Sequence, residues 1–134
     1  MKRIVLDTNV TISAFFWKGH PRAVYDLVRE RRLTLLSSVK IGAEFIRVLA
    51  YSRFGLNSAE ILPIVNDLRK YAHFIEIKSK VDIVKEDPTD SIFLECALDG
   101  KADYIISGDK HLLDVGIYEG GMVIRPKEFC VLHS

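Results

Sequence analysis

Short apolar runs alternate along the chain with longer stretches in which apolar side chains recur every three or four positions. The short runs are typical of buried strands, and they cover residues 3–6, 34–37, 74–77, 104–106 and 122–124. The longer stretches are bounded by Gly, Pro and small polar residues and predict amphipathic helices. Strands that alternate with helices favour a parallel sheet with helices on both faces. We therefore predict an α/β fold, a three-layer α/β/α sandwich around a central parallel sheet.

Acidic residues follow two of the predicted strands directly. Asp7 comes after the first apolar run, and Asp109 follows the fourth run through Ser107 and Gly108. In open α/β sheets, ligands bind in the crevice outside the carboxyl ends of the strands. Each aspartate can also be explained as the N-cap of the next helix. Taken alone, neither residue decides between a cap and a ligand site.

A third acid, Asp90, belongs to the strongest helix start in the chain. Asp87 fits the N-cap, Pro88 fits the first helical position, and Asp90 then falls at the third. The favourable interaction of acids with a helix N-terminus explains these aspartates without any chemistry. The N-terminus of this helix can nevertheless face the same sheet edge as Asp7.

Glu44 is the fourth acid of interest, at the edge of the apolar stripe of a predicted helix over residues 39–51. A surface ion pair with Lys40 or Arg47 is the alternative explanation. Four carboxylates at one edge repel each other unless a cation holds them. Mg²⁺ and Mn²⁺ are the cations that suit a site made only of oxygen ligands.

Composition and charge limit the remaining possibilities. The 134 residues are 49% hydrophobic and 28% charged, which predicts one globular domain over residues 1–134. The net charge is +1, so any binding of nucleic acid must depend on a local patch. No apolar run reaches the roughly 18 residues of a membrane span, and the first strand begins too early for a signal peptide. Cys96 and Cys130 form no CxxC motif and read as reduced core thiols, so we expect a cytoplasmic protein.

Three blocks of this sequence resemble those of PIN-domain ribonucleases. They are residues 6–10 (LDTNV), residues 87–98 (DPTDSIFLECAL) and residues 102–110 (ADYIISGDK). Their order and spacing resemble the prokaryotic branch of VapC-like proteins, the toxins of toxin–antitoxin pairs, over essentially the whole chain. The resemblance implies a PIN-like sheet of about five parallel strands, with the strand before Asp7 near its centre.

The resemblance also implies roles for individual residues. The family's acidic quartet, catalytic and metal-binding, matches Asp7, Glu44, Asp90 and Asp109. Asn9 and Ser107 match the small polar residues that support it, although Ser107 stands where Thr is commoner. Asp87 resembles a capping position more than a ligand. Asp7 would be the central ligand, with capping left to Thr8 or Asn9.

The implied reaction is hydrolysis of an RNA phosphodiester by an endoribonuclease with one or two Mg²⁺ or Mn²⁺ ions. Asp90 and Asp109 would complete the metal site directly or through water, and Glu44 would be a ligand or would orient the attacking water. The resemblance further implies a cognate antitoxin that covers the acidic edge, and a homodimer.

Positive side chains near the acids should offset their repulsion of the RNA backbone. The candidates for RNA contact are Lys110, Arg22, Lys18 and Arg53, with Trp17 or Phe16 as a base-stacking surface. Each of the basic residues can equally be solvated surface, and Trp17 can be core packing.

Two other functions remain open at this point. A PIN fold can serve as a non-catalytic binding module, and other metal-dependent phosphohydrolases use similar sheets. Haloacid-dehalogenase-like phosphatases have an Asp-x-Asp after the first strand, whereas this chain has Asp7 and Asn9. No GxGxxG or GxxxxGK[ST] motif supports a dinucleotide or P-loop site.

Overall fold

The computed structural model describes residues 1–51, 55–81 and 90–133. Within these ranges the chain alternates between strands and helices as predicted. In chain order the elements are β1 (Arg3–Leu6), α1 (Thr8–Phe16), α2 (His20–Arg29), β2 (Thr34–Ser37), α3 (Val39–Tyr51), α4 (Ser58–Tyr71), β3 (Ala72–Phe74), α5 (Ser91–Gly100), β4 (Tyr104–Ile106), α6 (Lys110–Val115), β5 (Ile117–Tyr118), β6 (Gly121–Ile124) and α7 (Pro126–Leu132). The predicted helix start at Asp87 and the candidate RNA contact Arg53 lie outside the described residues.

The strands form one sheet in the order β3-β2-β1-β4-β6-β5. All neighbouring pairs are parallel except β5 and β6, which are antiparallel. The prediction of an α/β fold around a central parallel sheet is therefore confirmed for every strand pair except β5 and β6, and β1 lies near the centre. Two details differ. The third strand forms at Ala72–Phe74 rather than at residues 74–77, and the two-residue strand β5 was not predicted.

Side chains of β1 point alternately into two cores, as the period of a strand requires. Ile4 and Leu6 join a cluster with residues of α1, α2, α4 and α7, whereas Val5 joins a cluster with residues of α5 and α6. The sheet is thus buried on both faces, which confirms the three-layer arrangement. None of the helices in the described ranges is both long and apolar enough to cross a membrane.

Helix α5 approaches the sheet closely because its last residue is a glycine. A Cβ atom added to Gly100 would lie 2.6 Å from Leu36 Cδ1 and 2.8 Å from Ile75 Cδ1. Leu36 is only 1% exposed, so its side chain has little room to move. The close approach of α5 to β2 fixes the position of the helix that follows Asp90.

Two helical glycines form a matched pair for testing this packing. Gly100→Ala should lower the free energy of unfolding by about 1–3 kcal/mol, because the added methyl group overfills the core beside Leu36. Gly42→Ala should raise it by about 0.5–1 kcal/mol, because alanine favours the helix. The Cβ atom there meets only the ring tip of Phe74 at 3.3 Å, and Phe74 is 44% exposed. Urea denaturation of both variants measures the difference, and equal effects would contradict the tight contact at Gly100.

Candidate active site

Asp7 occupies the junction between β1 and α1, and its carboxylate is 4% exposed. Its Oδ1 atom accepts a hydrogen bond from the Val10 backbone N–H at 2.7 Å, so Asp7 is the N-cap of α1. Its Oδ2 atom accepts a short hydrogen bond from the Ser107 hydroxyl. The expectation that Thr8 or Asn9 would cap this helix was therefore wrong. One carboxylate caps the helix and also lines the cavity described below.

The pKa of Asp7 lies above its ordinary value of 3.8, chiefly because burial disfavours the charged form. Hydrogen bonds from Ser107 and Val10 act in the opposite direction and lower this pKa. The negative charge of Asp109 raises it further. The surroundings of the Asp7 carboxylate thus disfavour its charge, and a bound cation would relieve that cost.

Ser107 links the ends of the two central strands. It is fully buried after β4, and its hydroxyl donates to Asp7 while its oxygen accepts the Asp109 backbone N–H at 2.9 Å. Asp109 is the N-cap of α6, and its Oδ1 atom accepts the His111 backbone N–H at 2.8 Å. Asp7 and Asp109 therefore both cap helices and also lie close together in space. The sequence allowed each of them to be a helix cap or part of a ligand site, and these two roles are compatible.

Glu44 projects from α3 toward the same edge of the sheet. Its Oε2 atom accepts a hydrogen bond from the Thr8 hydroxyl at 3.1 Å, and its Oε1 atom pairs with Arg47 Nη2 at 2.9 Å. The Glu44 side chain is 12% exposed, whereas that of Arg47 is 60% exposed. The ion pair foreseen as an alternative does exist, and it holds Glu44 at the site rather than away from it.

Asp90 precedes α5 with helical backbone angles, φ −69° and ψ −22°, and is 7% exposed. Its side chain does not cap α5, whose described part begins at Ser91. The expected capping role of the neighbouring Asp87 lies outside the described residues. Burial of Asp90 beside the start of α5 places its carboxylate in the same cavity as Asp7.

The four acids predicted from the sequence line one cavity of about 220 Å³ at the carboxyl edge of the sheet. The remaining residues of this cavity, which we call the acidic cavity, are Thr8, Asn9, Arg47, Val48 and Phe93. Thr8 and Arg47 were not predicted as site residues. Two features of the sequence could have pointed to them. Thr8 is next to Asp7, and Arg47 lies three residues after Glu44 on the same helix.

No three His, Cys, Asp or Glu side chains among the described residues are grouped closely enough to hold a metal ion as they stand. The carboxylates of Asp7, Glu44 and Asp109 instead accept hydrogen bonds from protein donors. Carboxylates without a cation between them repel each other, which favours such separate contacts. The donor set itself fits Mg²⁺ or Mn²⁺, because these ions prefer carboxylate oxygens and Mg²⁺ keeps several of its waters.

A second cavity of about 460 Å³ adjoins the acidic cavity and shares Asp7, Asn9 and Asp109 with it. Lys110, one of the predicted RNA contacts, lines this second cavity. Asn9, predicted as a supporting residue, is exposed and lies on the wall common to both.

The other predicted RNA contacts lie on α1, on α2 and between them. The Arg22 guanidinium donates to the carbonyl oxygens of Ala14 and Phe15, each at 3.0 Å, and so satisfies the C-terminal end of α1. Lys18 is exposed, and Trp17 is 48% exposed with its ring edge toward Phe16. Contact of these side chains with RNA remains a prediction.

Known proteins share sequence features or the fold with this chain. A PIN-domain family profile matches residues 3–111. A chain in the crystal structure of VapBC2 from Rickettsia felis, bound to a DNA fragment from their promoter, is 13% identical with a TM-score of 0.65; the alignment covers 92% of this chain and 98% of that one. PAE2754 from Pyrobaculum aerophilum is 15% identical with a TM-score of 0.59, over 99% of this chain and 88% of that one. No curated protein sequence matches significantly. At such identities the structures share the fold alone, but the profile covers most of the sequence, and the chain therefore belongs to the PIN-domain family.

Proposed function

We propose that the protein is a divalent-metal-dependent endoribonuclease and that residues 1–134 form a single nuclease domain. The observation that carries the proposal is the acidic cavity, in which Asp7, Glu44, Asp90 and Asp109 meet at the carboxyl edge of a PIN fold. A buried aspartate with a raised pKa, surrounded by further acids, is typical of a functional site rather than of a structural one. Membership of the PIN family supports RNA as the substrate.

Asp7, Asp90 and Asp109 would hold one or two Mg²⁺ or Mn²⁺ ions, with Asp7 as the central ligand. When bound, such an ion lowers the pKa of a bound water and stabilises charge on the phosphate oxygens. Ser107 keeps the Asp7 carboxylate in one orientation. Glu44, held by Thr8 and Arg47, would be a further ligand or would orient the attacking water.

Among the residues that the structure describes, Arg47 is the only Lys or Arg that lines the acidic cavity. Its guanidinium faces carboxylates that repel a phosphodiester, so it reduces the electrostatic cost of bringing RNA to this edge. A planar guanidinium also matches the oxygens of a phosphate. Together with Lys110 at the second cavity, Arg47 would supply the local positive charge that a net charge of +1 does not provide.

We further propose an antitoxin partner and a homodimer. The support for the antitoxin is the similarity of fold to VapBC2, a toxin–antitoxin complex. The support for the homodimer is the resemblance of the sequence to VapC-like toxins. A bound antitoxin would act by covering the acidic cavity.

The first prediction concerns cleavage. Purified protein should cleave members of a panel of cellular RNAs with Mg²⁺ or Mn²⁺, and excess EDTA should abolish this cleavage. Asp7→Asn should reduce the rate by about 100-fold or more, because it removes the charge of the central ligand. Asp114→Asn is the matched control, since Asp114 is exposed and lies outside both cavities. Equal cleavage in EDTA would refute the metal mechanism, and metal binding without any cleavage would favour the non-catalytic module.

The second prediction concerns stability and pH. Because the folded state raises the pKa of Asp7 above 3.8, it retains the Asp7 proton at pH values where the unfolded chain has lost it. Without metal, the free energy of unfolding should therefore fall as the pH rises through the window between 3.8 and the folded pKa. Above that window the cost is fully present, so Asp7→Asn should raise the free energy of unfolding at pH 8.

Urea denaturation at pH 5 and pH 8 in EDTA measures this effect. Ser107→Ala should change stability in the opposite direction, because it removes a donor that the buried carboxylate uses. Adding Mg²⁺ should stabilise the wild type at pH 8 and leave Asp7→Asn unchanged, since a ligand stabilises only the state that binds it. If Asp7→Asn were less stable than the wild type at pH 8, the burial cost assigned to Asp7 would be wrong.

The third prediction concerns the partner. Expression of the wild-type protein should arrest growth, expression of Asp7→Asn should not, and co-expression of a small protein encoded beside it should restore growth. Light scattering after size-exclusion chromatography should show a homodimer, and a larger complex once that small protein is added. Normal growth with abundant wild-type protein would contradict the toxin assignment, and a monomer would contradict the homodimer.

A further inference from the structure

The second cavity is larger than the acidic cavity and differs from it in chemistry. Its volume of about 460 Å³ falls within the roughly 300–1,000 Å³ of typical small-molecule sites, whereas the 220 Å³ of the acidic cavity does not. Besides the three shared residues, Val10, Ser13, Pro21, Gly108, Lys110 and Pro126 line it, and we call it the side cavity. A group held there lies directly beside whatever occupies the acidic cavity.

The apolar wall of the side cavity is rigid. Pro21 lies in the first turn of α2, and Pro126 is the first residue of α7. Proline has a fixed φ and suits this position, so both rings are held in place by the helix starts. Val10 adds a buried β-branched side chain from α1. A flat, uncharged group can therefore pack here without ordering flexible side chains, which favours binding.

Three polar side chains of the side cavity have no partners among the described residues. The Asn9 amide, the Ser13 hydroxyl and the Lys110 ammonium group make no hydrogen bond or ion pair with any other described side chain or backbone group. The carboxylates of Asp7 and Asp109, which line the same cavity, by contrast accept hydrogen bonds from protein donors. An apolar wall with a few convergent, uncommitted polar groups is the usual character of a ligand site.

The charged groups that line the side cavity determine which part of a nucleic acid can bind there. Asp7 and Asp109 line the side cavity as well, so a phosphate inside it would face two carboxylates and, within the described part of the chain, Lys110 as the one cation. A nucleoside is uncharged, and its base offers a flat face to the prolines and polar edges to Asn9 and Ser13. Lys110, which is exposed, is left to contact the next phosphate.

We infer that the side cavity is the subsite for one nucleoside of a single-stranded RNA, next to the scissile phosphate. The position of that phosphate rests on the proposed function, but binding of the nucleoside does not depend on catalysis. The strand must be single because a base can enter a cavity only when it is unstacked.

Nucleotide binding tests the subsite directly. Isotope-labelled wild-type protein in EDTA is titrated with adenosine or uridine 5′-monophosphate, and separately with inorganic phosphate, by two-dimensional NMR. The amide signals of Ser13, Gly108 and Lys110 should shift saturably with a nucleotide and not with phosphate alone. Absence of these shifts, or the same shifts with phosphate, would overturn the inference.

Three variants sharpen this titration. Ser13→Leu should abolish saturable binding because it fills the cavity, and Lys110→Ala should weaken binding at least fivefold. Lys127→Ala is the matched control, since Lys127 is exposed beside Pro126 but does not line the cavity. If Ser13→Leu is not folded by circular dichroism, Lys110→Ala decides, because Lys110 makes no contact that folding needs. Wild-type affinity in Lys110→Ala would overturn the inference.

Cleavage of RNAs with a single abasic position provides a second test. Removing the base beside the cleaved bond should lower kcat/KM at least tenfold for the wild type, mainly through KM. The same removal should have little effect in Ser13→Leu. A wild type that cleaves no RNA would refute the proposed function, and the nucleotide titration would still decide on the subsite. Equal sensitivity of both proteins to the abasic position would overturn the subsite.

Discussion

A carboxylate buried at the end of the central strand is the constraint on which the site depends. Asp7 is 4% exposed, and no lysine or arginine of the described residues forms an ion pair with it. A buried charge without such a partner is costly unless hydrogen bonds satisfy it. The fold supplies two of these, from Val10 and Ser107. Both depend on the placement of β1, since Val10 belongs to the helix that follows it and Ser107 comes directly after β4, the strand beside it.

The hydrogen bonds that satisfy Asp7 also hold a second acid close to it, which lowers stability. Ser107 holds Asp7 and also accepts the backbone N–H of Asp109, so the contact that satisfies one acid brings the second close. The Asp109 charge then raises the pKa of Asp7 rather than lowering it. A chain selected only for stability would place a neutral residue here. A bound cation would explain this cost, because the two carboxylates that repel each other are both attracted to the cation.

Much of this arrangement follows from local sequence, and the exceptions have physical causes. The positions of Asp7 and Asp109 could be predicted because each comes shortly after an apolar strand and just before a helix. This pattern is contained in a few consecutive residues. The strand β5 is too short for periodicity to detect, and it forms through pairing with β6. Strand β3 begins with Ala72 because it is an edge strand that pairs with β2 alone, so backbone pairing rather than an apolar run defines it. The contact of Thr8 with Glu44 depends on how α3 packs, which no local pattern contains.

The two cavities share three residues, and each would hold a different part of an RNA substrate. Asp7, Asn9 and Asp109 lie on their common wall, so in the proposed function the reacting phosphate and its neighbouring nucleoside would be positioned against the same three side chains. The rest of the side cavity comes from α1, from the first turns of α2, α6 and α7, and from Gly108, and none of these residues belongs to the acidic quartet. If the proposed subsite holds a nucleoside, the RNA preference would change through residues such as Ser13 or Pro126 while the acids stay the same.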